Sequence, residues 1–116
     1  MKRAEKYKRI LVKIGTGVIT SSGNMLDKKK IEGLLSQVAK IMGMGIEILI
    51  VTSGAIGAGM GVLKKCTRPQ SLPELQACAA IGQNQLMNMY EGYLKSRGYV
   101  GAQILLTQDD LTDRKR

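Results

Sequence analysis

The chain has 116 residues, 44% of them apolar, with two cysteines and no histidine. This allows one globular domain and excludes Ser-His catalysis, Cys-His catalysis and a plausible zinc site. The net charge of +9 comes mainly from the ends, since residues 1–9 carry +4 and residues 114–116 carry +3, and such an excess on frayed ends argues against nucleic acid as the main partner.

The first predicted elements are a strand, a loop and an amphipathic helix. Residues 1–8 are expected to form a disordered basic tail. Arg9–Gly15 (RILVKIG) is short, apolar and β-branched, which predicts a buried strand, and Thr16–Asn24 (TGVITSSGN) predicts a polar loop. Asp27 is the expected N-cap of the helix, whose apolar side chains recur on one face over Ile31–Met42.

The pattern of strand and helix then repeats. Ile46–Thr52 predicts a second strand, and the four glycines of the SGAIGAGMG segment after it predict a tight turn and close helix packing. Capping-box spacing at Ser71 and Glu74 predicts the start of a long helix over roughly Leu75–Arg97. Tyr99–Thr107 (YVGAQILLT) predicts a third strand, and TQDD the start of another helix. This alternation predicts a parallel sheet with right-handed crossovers.

The long helix has a stripe of apolar and small side chains, which we assign to core packing. The stripe consists of Leu75, Cys78, Ala79, Gly82, Leu86, Met89, Tyr90 and Tyr93. Cys66 and Cys78 are interpreted as reduced, buried thiols of a cytoplasmic protein. No apolar run approaches the roughly 18 residues of a membrane span, so we expect no membrane contact.

Three features lie at the expected carboxyl ends of the strands, where open α/β sheets bind ligands. Lys13 can reach a phosphate from the first strand end, or can simply extend into water. The GTG segment lets the backbone approach an anion, although it matches neither the dinucleotide fingerprint nor a Walker A loop. Ser53 can cap a helix, and Gly54 can form the turn before it. This turn would either present the first N–H groups of the helix to an anion or only allow the helix to pack closely. Two anion sites with a lysine between them suit phosphoryl transfer.

Four segments, in this order along the chain, resemble the amino-acid kinase family: ILVKIGTGVIT, VTSGAIGAGMGVL, LPELQACAAIGQNQLM and AQILLTQDDLTDR. KIGT and SGA are shared widely in the family, whereas AAIGQNQLM, QILLT and DR are more specific to its glutamate-phosphorylating members. The resemblance covers residues 9–114. It implies a three-layer α/β/α fold with a mainly parallel sheet, incomplete in this chain.

The resemblance also implies an activity, namely ATP-dependent phosphorylation of the γ-carboxylate of L-glutamate to γ-glutamyl phosphate, the first step of proline biosynthesis. It implies ATP and Mg²⁺ as cofactors with no protein ligand assigned to a metal, a homo-oligomer at full length, inhibition by proline and a cytoplasmic location. By position, Lys13 would contact the ATP phosphates and stabilise the transferring phosphoryl group, Gly15 and Thr16 would form the phosphate-side loop, and Ser53, Gly54 and Ala55 would hold glutamate.

Two departures from the family pattern qualify this resemblance. Gly17 stands where many members have Ser or Asn. The family's adenine pocket, its acidic residues and further glutamate-binding residues lie beyond Arg116, so residues 1–116 are interpreted as the N-terminal part of a kinase domain that is inactive alone. Two alternatives remain open, which are a kinase of the same family with another carboxylate, carbamate or phosphate acceptor, and a non-catalytic module that binds anions or nucleic acid through its basic ends.

Overall fold

The structure is a computed structural model that describes residues 6–22, 25–65, 67–106, 108–113 and 115. Its elements in chain order are β1 (Arg9–Ile14), α1 (Thr16–Ile19), α2 (Lys28–Met42), β2 (Glu47–Thr52), α3 (Ala55–Val62), α4 (Leu72–Ser96) and α5 (Gln108–Thr112). The first two predicted strands and the two long predicted helices are confirmed, as is the short helix that begins near the TQDD segment.

The two strands pair in parallel, as predicted. The register runs from Arg9 opposite Glu47 to Ile14 opposite Thr52, so both strands end at the same level. Residues alternate between two environments along each strand, because successive side chains point to opposite faces. The even-numbered side chains pack on the helices. The odd-numbered face is open in the described part of the chain, with Leu11 62% exposed.

The core lies between the even-numbered face of the sheet and helices α2 and α4. Its buried residues are Ile14, Ile19, Ile31, Leu35, Leu86 and Tyr90. Helix α2 begins as predicted, because the Asp27 carboxylate accepts a hydrogen bond from the Lys30 backbone N–H at 3.2 Å and so satisfies a donor of the first turn. The predicted apolar face of α2 is the buried one.

Helices α3 and α4 cross at backbone contact, which explains one of the four clustered glycines, Gly59, and also Gly82 of α4. A Cβ at Gly59 would overlap the carbonyl oxygen of Cys78, and a Cβ at Gly82 would overlap the carbonyl oxygen of Ala55. Cys78 is fully buried at this crossing and has a free thiol, as predicted, whereas Cys66 lies outside the described residues. The crossing holds the first residue of α3 against the long helix.

The predicted third strand is wrong. Residues 99–106 form no strand, and Val100, Ile104 and Leu105 are 95%, 76% and 77% exposed. Their apolar, β-branched composition suits a pleated surface, but a strand exists only through hydrogen bonds to a neighbouring strand. In the described part of the chain, β1 and β2 pair only with each other. Thr107, the last residue of the predicted strand, lies outside the described residues.

Local details also differ from the predictions. The predicted loop after β1 begins with the four-residue helix α1, although Gly23 and Asn24 lie outside the described residues. Ser71 is the N-cap of α4 but makes no side-chain capping bond. Of the predicted basic tail, residues 1–5 lie outside the described residues, and the Lys8 carbonyl accepts a hydrogen bond from the Glu47 N–H at 2.9 Å.

Candidate functional site at the strand ends

The candidate site is built where β1 and β2 end side by side. The chain leaves β1 through Gly15 and Thr16 and leaves β2 through Ser53 and Gly54. Because the strands are parallel and in register, these two turns are adjacent although 37 residues separate Thr16 from Ser53. The two glycine-containing segments that the sequence singled out therefore lie at one edge of the sheet, as expected for α/β folds.

Ser53 connects the two turns. Its backbone N–H donates to the Ile14 carbonyl at 3.0 Å, and its hydroxyl donates to the same carbonyl at 3.1 Å. The Ser53 Oγ also lies 3.2 Å from the Thr16 Oγ1. The prediction that Ser53 caps helix α3 is wrong, because Gly54 occupies the N-cap position and no side chain caps the helix. The Ser53 hydroxyl instead ties β2 to the end of β1.

Gly54 takes a backbone conformation that favours glycine. Its φ is +104°, and a Cβ would lie 3.2 Å from the Ile19 Cδ1. No acceptor for the Gly54 N–H is present among the described residues, and Ala55 directly follows as the first residue of α3. N–H groups at the start of a helix carry partial positive charge. This turn therefore presents backbone donors at the strand ends.

We expect the G54A substitution to lower the free energy of unfolding by about 1–3 kcal/mol, because a side chain is strained at this φ and presses on Ile19. Thermal unfolding would measure the loss. The G45A variant is the matched control, since Gly45 has a φ of +80° but no atom within 4 Å of its Cβ position. An equal loss in both variants would show that the contact with Ile19 adds nothing.

Lys13 lies on the open face of the sheet, one residue before the end of β1 and opposite Val51. Its ammonium has no ion-pair or hydrogen-bond partner among the described residues. The alternation of β1 that the sequence predicted places it away from the core, next to the exposed Leu11. A long cationic side chain at this place can extend towards an anion at the strand ends.

One polar contact of the site is not predicted from the sequence. The Tyr90 hydroxyl on α4 lies 2.9 Å from the Thr52 Oγ1 at the end of β2. Burial raises the pKa of the Tyr90 phenol. The apolar stripe of the long helix predicts core packing for Tyr90, and this is confirmed. The available signal was that a buried tyrosine hydroxyl usually has a hydrogen-bond partner, but the sequence does not identify the partner.

The described residues contain neither a cluster of metal-binding side chains nor a helix that could span a membrane. No group of three or more acidic or cysteine side chains there could hold a metal ion. No described helix has the length and apolarity needed to span a membrane.

Comparison with known proteins identifies relatives over the whole length of the chain. The model of the amino acid kinase family matches residues 8–116. A protein of Citrifermentans bemidjiense named glutamate 5-kinase is 47% identical over 112 residues, which are 97% of this chain and 30% of that protein. Glutamate 5-kinases of Caldanaerobacter subterraneus and Clostridium acetobutylicum are 46% and 41% identical, over 93% and 100% of this chain. The chain spans 29% and 45% of those two proteins.

Proposed function

The chain belongs to the amino acid kinase family, and from this premise we propose that it takes part in the ATP-dependent phosphorylation of the γ-carboxylate of L-glutamate. The product would be γ-glutamyl phosphate, the first intermediate of proline biosynthesis. The observation that carries the proposal is the junction of the two turns at Thr16 and Ser53, beside Lys13. The named relatives support glutamate as the acceptor.

The residues at the end of β1 suit the phosphates of ATP. In this proposal Lys13 contacts the phosphates and the transferring phosphoryl group, and the backbone of Gly15 and Thr16 forms the phosphate-side loop. A phosphoryl group in transfer spreads negative charge over its outer oxygens, so positioning and charge neutralisation contribute most of the catalysis. The Lys13 ammonium, which has no partner among the described residues, and the glycine backbone can supply both.

Mg²⁺ would accompany the nucleotide in this proposal. It would neutralise phosphate charge when bound. No group of three or more acidic or cysteine side chains among the described residues could hold the ion, and in this proposal the nucleotide phosphates bring it to the strand ends.

The residues at the end of β2 suit an anionic acceptor. Ser53, Gly54 and Ala55 would hold glutamate, with the Gly54 N–H and the first turn of α3 directed to its carboxylate oxygens. We call Ser53–Ala55 the acceptor turn and Gly15–Thr16 the phosphate turn. The bonds from Ser53 to Ile14 then hold these two turns at a constant distance from each other. Such positioning of two reactants can supply a large part of a rate enhancement.

The remaining features of the proposal concern the longer proteins. Because the chain spans between 29% and 45% of the three relatives described above, we propose that catalysis requires residues of the kind those proteins carry outside the matched region. Inhibition by proline, assembly into a homo-oligomer and a cytoplasmic location belong to the same proposal.

The acceptor is tested by measuring ADP release from ATP and Mg²⁺ in the full-length product of the gene that encodes this chain. We expect kcat/KM for L-glutamate to exceed those for N-acetylglutamate, aspartate and UMP by at least about 100-fold. A site built to hydrogen-bond one acceptor rejects other molecules strongly, because they leave its polar groups without partners. An equal or higher kcat/KM for another acceptor would contradict glutamate as substrate and leave the family membership unchanged.

A further inference from the structure

A chain of three hydrogen-bonding groups leads from the core to the acceptor turn. The Tyr90 hydroxyl lies 2.9 Å from the Thr52 Oγ1, and the Thr52 Oγ1 donates to the carbonyl oxygen of Ser53 at 3.1 Å. Tyr90 is 6% exposed and is held within the core between the sheet and α4. The turn residue Ser53 is therefore connected to a rigid part of the fold.

The direction of these hydrogen bonds follows from the number of protons. A threonine hydroxyl has one proton, and the Thr52 proton is donated to the Ser53 carbonyl, which cannot donate in return. The Tyr90 hydroxyl must therefore be the donor to Thr52. Tyr90 can do so because it stays protonated at neutral pH, where its raised pKa keeps it far from ionisation.

This chain determines how the Ser53–Gly54 peptide is oriented. The peptide bonds of the described chain are all trans, and in a trans peptide the C=O and the following N–H point in opposite directions. When Thr52 holds the Ser53 carbonyl, the Gly54 N–H points to the other side of the peptide. That N–H is the one without an acceptor among the described residues.

We propose that Tyr90 is a positioning residue of the acceptor turn, which acts through Thr52 to keep the Gly54 N–H directed to the reacting groups. This inference rests on the proposed function for its kinetic consequence. In this proposal Tyr90 itself touches neither substrate. If the Ser53–Gly54 peptide were free to rotate, its N–H would no longer be held in one direction. Hydrogen-bond donors that are held in place act mainly on the chemical step.

The alternative is that Tyr90 only fills the core. Y90F separates the two roles because it keeps the ring and removes the hydroxyl. Y93F is the matched control, since Tyr93 lies on the same helix and its hydroxyl accepts a hydrogen bond from the exposed Arg97, its one hydrogen-bond partner among the described residues. T52V removes the next hydroxyl of the chain while it preserves the shape of the side chain.

The kinetic test uses the full-length product of the gene. We expect Y90F to lower kcat about 10-fold with the KM for glutamate within twofold, because a misdirected backbone donor weakens charge stabilisation in the transition state. T52V should lose at least as much. The double variant should be no slower than T52V alone, because both hydroxyls serve one carbonyl. Y93F should retain its kcat. A kcat for Y90F within twofold of the unmodified protein, or fully multiplicative losses, would overturn the inference.

A second measurement does not depend on the proposed substrate. Hydrogen exchange followed by mass spectrometry on the peptide that contains Ser53 and Gly54 should show at least about threefold faster exchange in Y90F, and no change in Y93F, because loss of the hydroxyl loosens this turn. If the unmodified protein does not phosphorylate glutamate, the proposed function fails while this result still decides the inference. Unchanged exchange in Y90F would overturn the positioning role.

Discussion

The K13M substitution is expected to lower kcat for glutamate phosphorylation by about 10²–10³-fold in the full-length protein, the cost of removing one preorganised charge-stabilising group from an active site. Lys13 lies at the end of β1 with an ammonium that has no partner among the described residues. In the proposed function its charge is therefore available to the transferring phosphoryl group. Steady-state ADP release at saturating ATP and glutamate measures the effect.

A stability measurement and a control variant distinguish loss of the Lys13 charge at the site from general damage to the protein. Because Lys13 is exposed and contributes no ion pair to the described fold, the melting temperature should change by no more than about 2 °C, as for an ordinary surface substitution. K40M, at an exposed position in the last turn of α2, removes the same charge from the end of the helix that leads into the start of β2, and should retain full activity. A wild-type kcat in the K13M protein would show that Lys13 is not part of the site.

The G82A substitution is expected to lower the free energy of unfolding by about 3 kcal/mol, at the upper end of the usual cost of overpacking. The added methyl group would overlap the Ala55 carbonyl oxygen, and backbone atoms of two packed helices cannot move aside as a flexible side chain can. Helices α3 and α4 would have to separate. Thermal or urea unfolding of the full-length protein measures the change, and glutamate-dependent activity should fall with it because Ala55 begins α3.

A second glycine of the same helix is the matched control. Gly92 lies in α4 with no atom within 4 Å of its Cβ position, so G92A should raise the free energy of unfolding by about 0.5–1 kcal/mol through helix propensity alone. Opposite signs for the two variants would confirm that the close crossing, and not the helical position, demands glycine. A neutral G82A would show that α3 and α4 can separate without cost.

Much of the candidate site could be predicted from the sequence because its parts are local. The alternation in β1 predicts that Lys13 lies opposite the core face, and the apolar runs before Gly15 and before Ser53 predict two strand ends. Parallel strands bring their carboxyl ends to one edge. The adjacency of Thr16 and Ser53 follows from these facts, and no side-chain detail is needed.

Other features depended on partners that a linear pattern does not show. The run Tyr99–Thr107 has the composition of a strand, but residues 99–106 form no strand pairing in the described part of the chain. The Ser53 hydroxyl binds the Ile14 carbonyl, although its position before α3 suggested a cap. Tyr90 belongs to the predicted core stripe, but its hydrogen bond to Thr52 depends on how α4 lies against β2.

The sequence by itself identified the family, through four segments that resemble it. It also determined the order of the main helices and strands and the two turns that form the site, because periodicity and glycine placement act over a few residues. Only the tertiary structure decided which glycines need to be glycine, since Gly82 and Gly92 occupy the same helix and differ in what a Cβ would meet. It also decided the partners of Ser53 and Tyr90. Hydrogen bonds and close packing are set by distances between elements that are remote in sequence, and no local pattern encodes those distances.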